Sequence, residues 1–167
     1  MNLSHVHDPA RTPLFPGDPA FTVETVVTVA TDGYLLRYVR QAEHTGTHWG
    51  APVHFDPEGL AADELDTADL LLPAVKIDVR ERCAADRDYA VGVGDLMVWE
   101  KRHGRIPDQA AVIAWTGKLL YREHRISLEC LANLSELPTT GAWVLAGGPI
   151  YRGGSGAPAT IFGILPQ

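Results

Sequence analysis

The chain has 167 residues, 46% of them hydrophobic and 21% charged, and a formal net charge of -7. That length suits one domain with a single sizeable core, and the composition excludes disorder. The acidic balance disfavours nucleic acid and anionic membrane surfaces, and no apolar run approaches the roughly 20 residues that span a bilayer. The start, MNLSHVHDPARTPLF, lacks the basic-then-apolar pattern of a secretory signal, so a cytoplasmic protein is expected. Cys83 and Cys130 are too few for a disulfide framework, and both are expected to be buried apolar thiols.

In chain order, the first twenty residues are rich in Pro, His and Asp and predict an irregular, turn-rich entry. FTVETVVTVA alternates and is β-branched, which predicts a strand; TDG turns into a second strand, YLLRYVRQAE. PEGLAADELDTADLLL predicts one or two short helices, and PAVKIDVR a compact strand. VGVGDLMVWEKRHGRI predicts a helix that begins near Asp95, with that residue as N-cap, and ends at Gly104 and Pro107. AAVIAW reads as a strand buried on both faces. YREHRISLECLANLSELP mixes strand and helix signals. GAWVLAGGPI and ATIFGILP are two closing strands, joined by a YRGGSGAP loop that lacks the spacing of a phosphate-binding loop. Strands outnumber helices, so the fold class is α/β or α+β, dominated by sheet.

The stretch HTGTHWGAPVHF places His44, His48 and His54 within eleven positions. In a strand, residues i and i+4 face one side, so His44 and His48 can point at one spot; Gly46, Gly50 and Pro52 argue against a helix. Pro52 stiffens the turn that brings His54 round. A single histidine here would be read as a satisfied polar residue. Three at this spacing favour a metal or catalytic site, since neutral imidazole suits zinc, iron and manganese. No carboxylate lies between His48 and His54; Asp56, Glu58, Glu43 and Glu129 are the candidates to complete the set.

These residues resemble the cyclase family that contains bacterial kynurenine formamidase and isatin hydrolase, whose signature is H-x-G-T-H-x-D-x-P-x-H. Here it reads His44-Thr-Gly46-Thr47-His48-Trp-Gly50-Ala-Pro52-Val-His54. The segments LSH, PLFPGDP, DGYLL, VGDLMVWEKRHGRIP, LECLANLSELPTTGAWVLAGGP and GGSGAPATIFGILP also agree, so the resemblance covers nearly the whole length. It implies a swivelling β/β/α fold, a homodimer or homotetramer, and metal-assisted hydrolysis of a small amide, formamide, lactam or lactone. It carries His44, His48 and Glu129 over as ligands of one divalent metal, zinc or manganese, and His54 as a residue that supports a second metal or acts in proton transfer. Trp49 is read either as a pocket wall or as a core aromatic, and Phe15 falls where relatives place an aromatic at the pocket mouth.

Two departures qualify that expectation. The signature aspartate is Gly50, which removes an anionic ligand, and a family segment is missing near residues 117–120 of the single domain 1–167. Lys118 falls near the position of a further metal-site histidine and is placed at the substrate, where an ammonium disfavours a second cation; His124 is too close to Glu129 to replace it. The alternatives are a metal-free enzyme that closes or rearranges the ring of a small secondary metabolite, and an inactive ligand-binding paralogue. Asp56 is a candidate substitute for the lost carboxylate. His5 and His7 are expected to be exposed near the terminus, and His103 is read as a favourable charge at a helix end.

Overall fold

The computed structural model describes residues 1–86, 89–113 and 126–166. It is a sheet-dominated mixed α/β structure. The β-branched segment after Phe21 forms β1 (Thr22–Val27), which pairs antiparallel with β2 (Leu36–Arg40); between them stand one helical turn, α1 (Val29–Asp32), and Gly33 at φ 79°. These two strands pair with each other and form a sheet of their own.

The second sheet has β3 (His48–Gly50) at its centre, flanked by β6 (Ser127–Glu129) and β8 (Gly156–Pro158), both antiparallel to it. The third runs β5–β4–β7–β9, from β4 (Leu71–Lys76), β5 (Ala111–Ile113), β7 (Ala142–Gly147) and β9 (Thr160–Ile164). Its β4–β5 pair is parallel and crosses over through α2 (Arg80–Ala85) and α3 (Val93–His103).

Period-2 alternation sorts these strands into faces. Ala142, Val144 and Ala146 of β7 and Ile161 of β9 point inward and meet Trp49, Ala51 and Ala157 of the small sheet in the main core. Val75, on the opposite face of β4 from Ala74, packs with Ile77, Val79 and Trp99 of α3 in a second core. The Trp99 indole donates to the Lys76 carbonyl at 2.9 Å, which satisfies its polar edge inside that core. The result is two sheet layers with helices on one outer face.

Several local expectations need correction. The entry is not loose: Leu3 is fully buried, its N–H donates to Ile161 O at 2.8 Å, and its carbonyl accepts from Ala132 N–H at 2.8 Å. The acidic stretch before β4 makes 3₁₀ turns at Ala62–Glu64 and Thr67–Leu70, too short for a regular helix. The N-cap of α3 is Gly92; Asp95 sits a turn inside, where its carboxylate accepts the Gly92 N–H at 2.9 Å and pairs with Arg82 and Tyr89. Part of the glycine-rich GGSGAP loop is strand β8. Cys130 is exposed and at φ 53°, while Cys83 is partly buried against the second core. Ala111–Ile113 of AAVIAW is strand; Lys118, His124 and the junction at 117–120 lie outside the described residues.

Because Leu3 ties the amino terminus to β9, Leu3→Ala should lower the unfolding free energy by about 3 kcal/mol. A urea titration followed by circular dichroism checks this; an unchanged midpoint would show the strap to be dispensable.

Candidate active site

β3 places the central histidine. His48 stands directly across from Glu129 of β6 and is 4% exposed, so strand register alone brings an imidazole and a carboxylate together. His48 Nε2 and Glu129 Oε2 are 3.6 Å apart. His48 Nδ1–H donates to Gly46 O at 2.9 Å, which fixes the tautomer and leaves the Nε2 lone pair on the Glu129 side. Ser127, two residues before Glu129 and on the same face, donates to Glu129 Oε1 at 3.0 Å.

His44 and His54 approach from flanking loops. The chain reverses at Gly46 (φ 63°), where a Cβ would come within 2.9 Å of His7 Nε2. His54 ends the 3₁₀ turn Pro52–His54, and its ring stacks on His44 with centroids 3.7 Å apart and planes at 19°. The His44 ring meets His48 edge-on at 4.9 Å. Gly156 makes room for this cluster: a Cβ there would clash with the Trp49 carbonyl and lie 2.8 Å from His44 Cε1. The three signature imidazoles and Glu129 therefore occupy one site.

Two further residues belong to it. Ser155 Oγ donates to Glu43 Oε2 at 2.6 Å, and its N–H donates to the same oxygen at 3.1 Å. Since the hydroxyl has one proton and gives it to the carboxylate, Ser155 Oγ must accept from His44 Nε2–H, 2.9 Å away. His44 Nδ1 is then a bare lone pair, buried and with no hydrogen-bond partner. Glu43 was one of four candidate carboxylates in the sequence; nothing in the GGSGAP segment marked Ser155.

The other expectations resolve individually. Trp49 is 1% exposed and lies in the main core, on the opposite face of β3 from His48. Phe15 is largely exposed, in a turn whose Phe15 N–H donates to Asp18. The Asp56 carboxylate accepts the Glu58 N–H at 3.1 Å in a local turn. His5 is exposed, whereas His7 is not free: it donates through Nε2 to Thr47 O at 3.1 Å and packs against the signature loop. His103 is exposed at the end of α3, with its ring 4.9 Å from Trp99.

The donor chemistry suits a divalent cation. Two donors bound about 2.1 Å from one ion at a tetrahedral angle stand roughly 3.4 Å apart, close to the observed His48–Glu129 spacing. The buried, unpartnered His44 Nδ1 supplies a third lone pair. Among the described residues, no three such side chains are already gathered as a metal cage, and Gly50 offers no ligand.

Burial favours the neutral form of His44 and His54. Burial, reinforced by neighbouring His54 and His48, pushes His44 down to about 4 against the attraction of Glu129 and Glu43. Burial also lowers His54, again against Glu129. His44 thus takes up its proton far later in the folded protein than in the unfolded chain, at about 4 instead of 6.5. The neutral form contributes stability in full above about pH 6.5, and the unfolded state gains on it as pH falls towards 4. With chelator present, His44→Gln should flatten the acid-side loss of stability between these pH values. Thermal unfolding of both proteins across that range measures it; parallel curves would contradict the neutral assignment.

Comparison with known proteins places this geometry. Residues 1–143 match the profile of a family described as "Putative cyclase". The isatin hydrolase of Roseibium aggregatum is 23% identical over 217 aligned positions, which take in 89% of this chain and 82% of that protein. A kynurenine formamidase of Geobacillus thermodenitrificans is 30% identical over 112 residues, covering 66% of this chain and only 50% of the formamidase. A crystal structure of an isatin hydrolase bound to the product analogue thioisatinate superposes with a TM-score of 0.85 at 22% identity, over 100% of this chain and 92% of that one. The fold and the histidine signature thus have one explanation: the chain belongs to the "Putative cyclase" family.

Proposed function

We propose that the protein is a hydrolase of C–N bonds in small amides, formamides or lactams, with His44, His48, His54 and Glu129 as its working residues. The observation that carries this reading is the His44–His48–His54–Glu129 cluster, in which His44 keeps a buried lone pair with no partner. The isatin hydrolase and kynurenine formamidase relatives support the reaction class.

His44, His48 and Glu129 would hold one divalent ion, zinc or manganese; when bound it supplies Lewis acidity at the substrate carbonyl. The chain's own groups do the rest. Ser155, anchored by Glu43, fixes the His44 ring and its tautomer. Gly46 O does the same for His48, and Ser127 steadies Glu129. Burial holds His54 neutral at pH 7, so its free base can take a proton from attacking water and return it to the departing nitrogen. The isatin hydrolase alignment is longer than this entire chain, which supports the expectation that this chain lacks a segment that relative has.

Gly50 favours a second reading, because loss of the signature carboxylate weakens cation binding. In that case the three imidazoles act alone, as acid/base groups for ring closure or rearrangement. The deciding experiment is metal content by elemental analysis, with hydrolysis of isatin and aryl formamides assayed in parallel. About one ion per chain, lost in His48→Ala with a fall in hydrolysis of at least about 100-fold, is expected. Absence of bound ion after incubation with zinc or manganese would transfer the chemistry to the metal-free alternative.

A further inference from the structure

The amino-terminal strap brings a fourth imidazole, His7, against the loop between His44 and His48. A closed turn holds it there: the Asp8 carbonyl accepts the Arg11 and Thr12 N–H groups, and the Thr12 hydroxyl accepts the Asp8 N–H at 2.8 Å. The partly buried His7 ring meets the buried Phe21 ring edge-on at 6.4 Å, and its Nδ1 stands 3.4 Å from the Gln41 side-chain amide. Nε2 is 3.1 Å from Thr47 O. A carbonyl only accepts, so His7 carries a proton on Nε2.

That ring packs on the peptide that sets His48. Gly46, at φ 63°, lies in a region that only glycine enters freely, and no side chain of its own restrains the Gly46–Thr47 peptide. The restraint comes from the strap. A Cβ on Gly46 would lie 2.9 Å from His7 Nε2 and 3.0 Å from the Thr12 methyl, so these two side chains close on the glycine. On the other side of the peptide, Thr47 is anchored by the His5 N–H, Cys130 O and the Ala159 N–H. Clamped in this way, the Gly46 carbonyl stands 2.9 Å from His48 Nδ1.

Two tautomers of His48 compete at this point. With its proton on Nδ1, the ring donates to Gly46 O and turns the Nε2 lone pair to the Glu129 side. With its proton on Nε2, it would donate towards the Glu129 carboxylate, now 3.6 Å away, and leave the Nδ1 lone pair facing a carbonyl oxygen. An ionised acceptor makes the stronger hydrogen bond, so Glu129 by itself favours the second tautomer. What opposes it is the repulsion between Nδ1 and Gly46 O, which lasts only while that carbonyl cannot turn away. Strap packing therefore decides the tautomer.

We propose that His7 is a positioning residue of the site: its ring keeps the Gly46 carbonyl on His48 Nδ1 and so keeps the His48 Nε2 lone pair free for an ion. This deepens the hydrolytic reading, on which its catalytic consequence rests, but the His48 ring can be read without ion or substrate. Nitrogen–proton correlation spectra of the labelled full-length protein, taken with chelator near neutral pH, report the tautomer of each imidazole. In the wild type His7 should be Nε2–H and His48 Nδ1–H. The donor-free variants His7→Phe and His7→Leu should move the two His48 nitrogen signals towards each other, as the Nε2–H form becomes populated. His7→Gln, whose amide N–H can stand where Nε2–H stood, should restore the wild-type pattern. Titration of the same proteins with zinc or manganese should show affinity about tenfold weaker for His7→Phe and His7→Leu, and near wild type for His7→Gln.

The opposite tautomer at either ring of the wild type overturns the proposal. So does a folded His7→Phe or His7→Leu protein with wild-type His48 signals, and so does a His7→Gln protein that behaves like His7→Phe, which would reduce the ring to packing. A wild type that takes up no ion removes the metal-assisted reading instead and leaves the tautomer result standing.

Discussion

The site depends on the register of one buried three-residue strand. β3 is paired on both edges, with His48 against Glu129 and Pro158 and Gly50 against Ser127 and Gly156. A slip of one residue would exchange the faces, turning His48 into the core and Trp49 towards Glu129. What holds the register is Trp49 itself, 1% exposed among Ala51, Ala157 and the inward side chains of β7 and β9. Loss of so large a buried aromatic costs about 3–5 kcal/mol, far more than any single polar contact in the site. The core residue thus aims His48 at Glu129.

Thr47 ties the loops around that strand into one unit. Its hydroxyl donates to Cys130 O at 2.7 Å and accepts from His5 N–H at 3.0 Å. Its carbonyl accepts from the His7 ring and from Ala159 N–H. The amino-terminal strap, the end of β6 and the β8–β9 corner therefore meet at one buried residue. This is why the entry segment, with Leu3 in the core, belongs to the architecture of the site. On that scaffold, burial decides charge: Glu43 and Glu129 both favour an imidazolium at His44, yet desolvation and two neighbouring rings outweigh them.

Sequence reasoning worked where a local pattern carried the answer. Alternating β-branched and apolar runs marked β1, β2, β4, β7 and β9, and apolar spacing with Gly104 marked α3. It failed where the partner is distant. β8 has the composition of a loop and is a strand only because β3 needs a second edge. Asp95 looks like an N-cap locally, but the helix starts earlier, at Gly92, and the Asp95 carboxylate reaches back to the Gly92 N–H while also bonding the distant Arg82 and Tyr89. Cys130 was expected inside by residue type and is outside because the chain turns there at positive φ.

The same division runs through the site. Spacing in the chain determined that His44, His48 and His54 belong together, because a short strand and a proline-stiffened turn can bring only nearby residues round one point. The sequence also settled what is lacking, a carboxylate at position 50. Tertiary structure decided the rest. Pairing across more than a hundred residues made Ser155, through Glu43, the group that orients His44, and cross-strand register made Glu129 the carboxylate beside His48. Hydrogen-bond partners and burial are properties of the assembled surroundings, so neither the bare Nδ1 of His44 nor its neutrality could be read before the chain was folded.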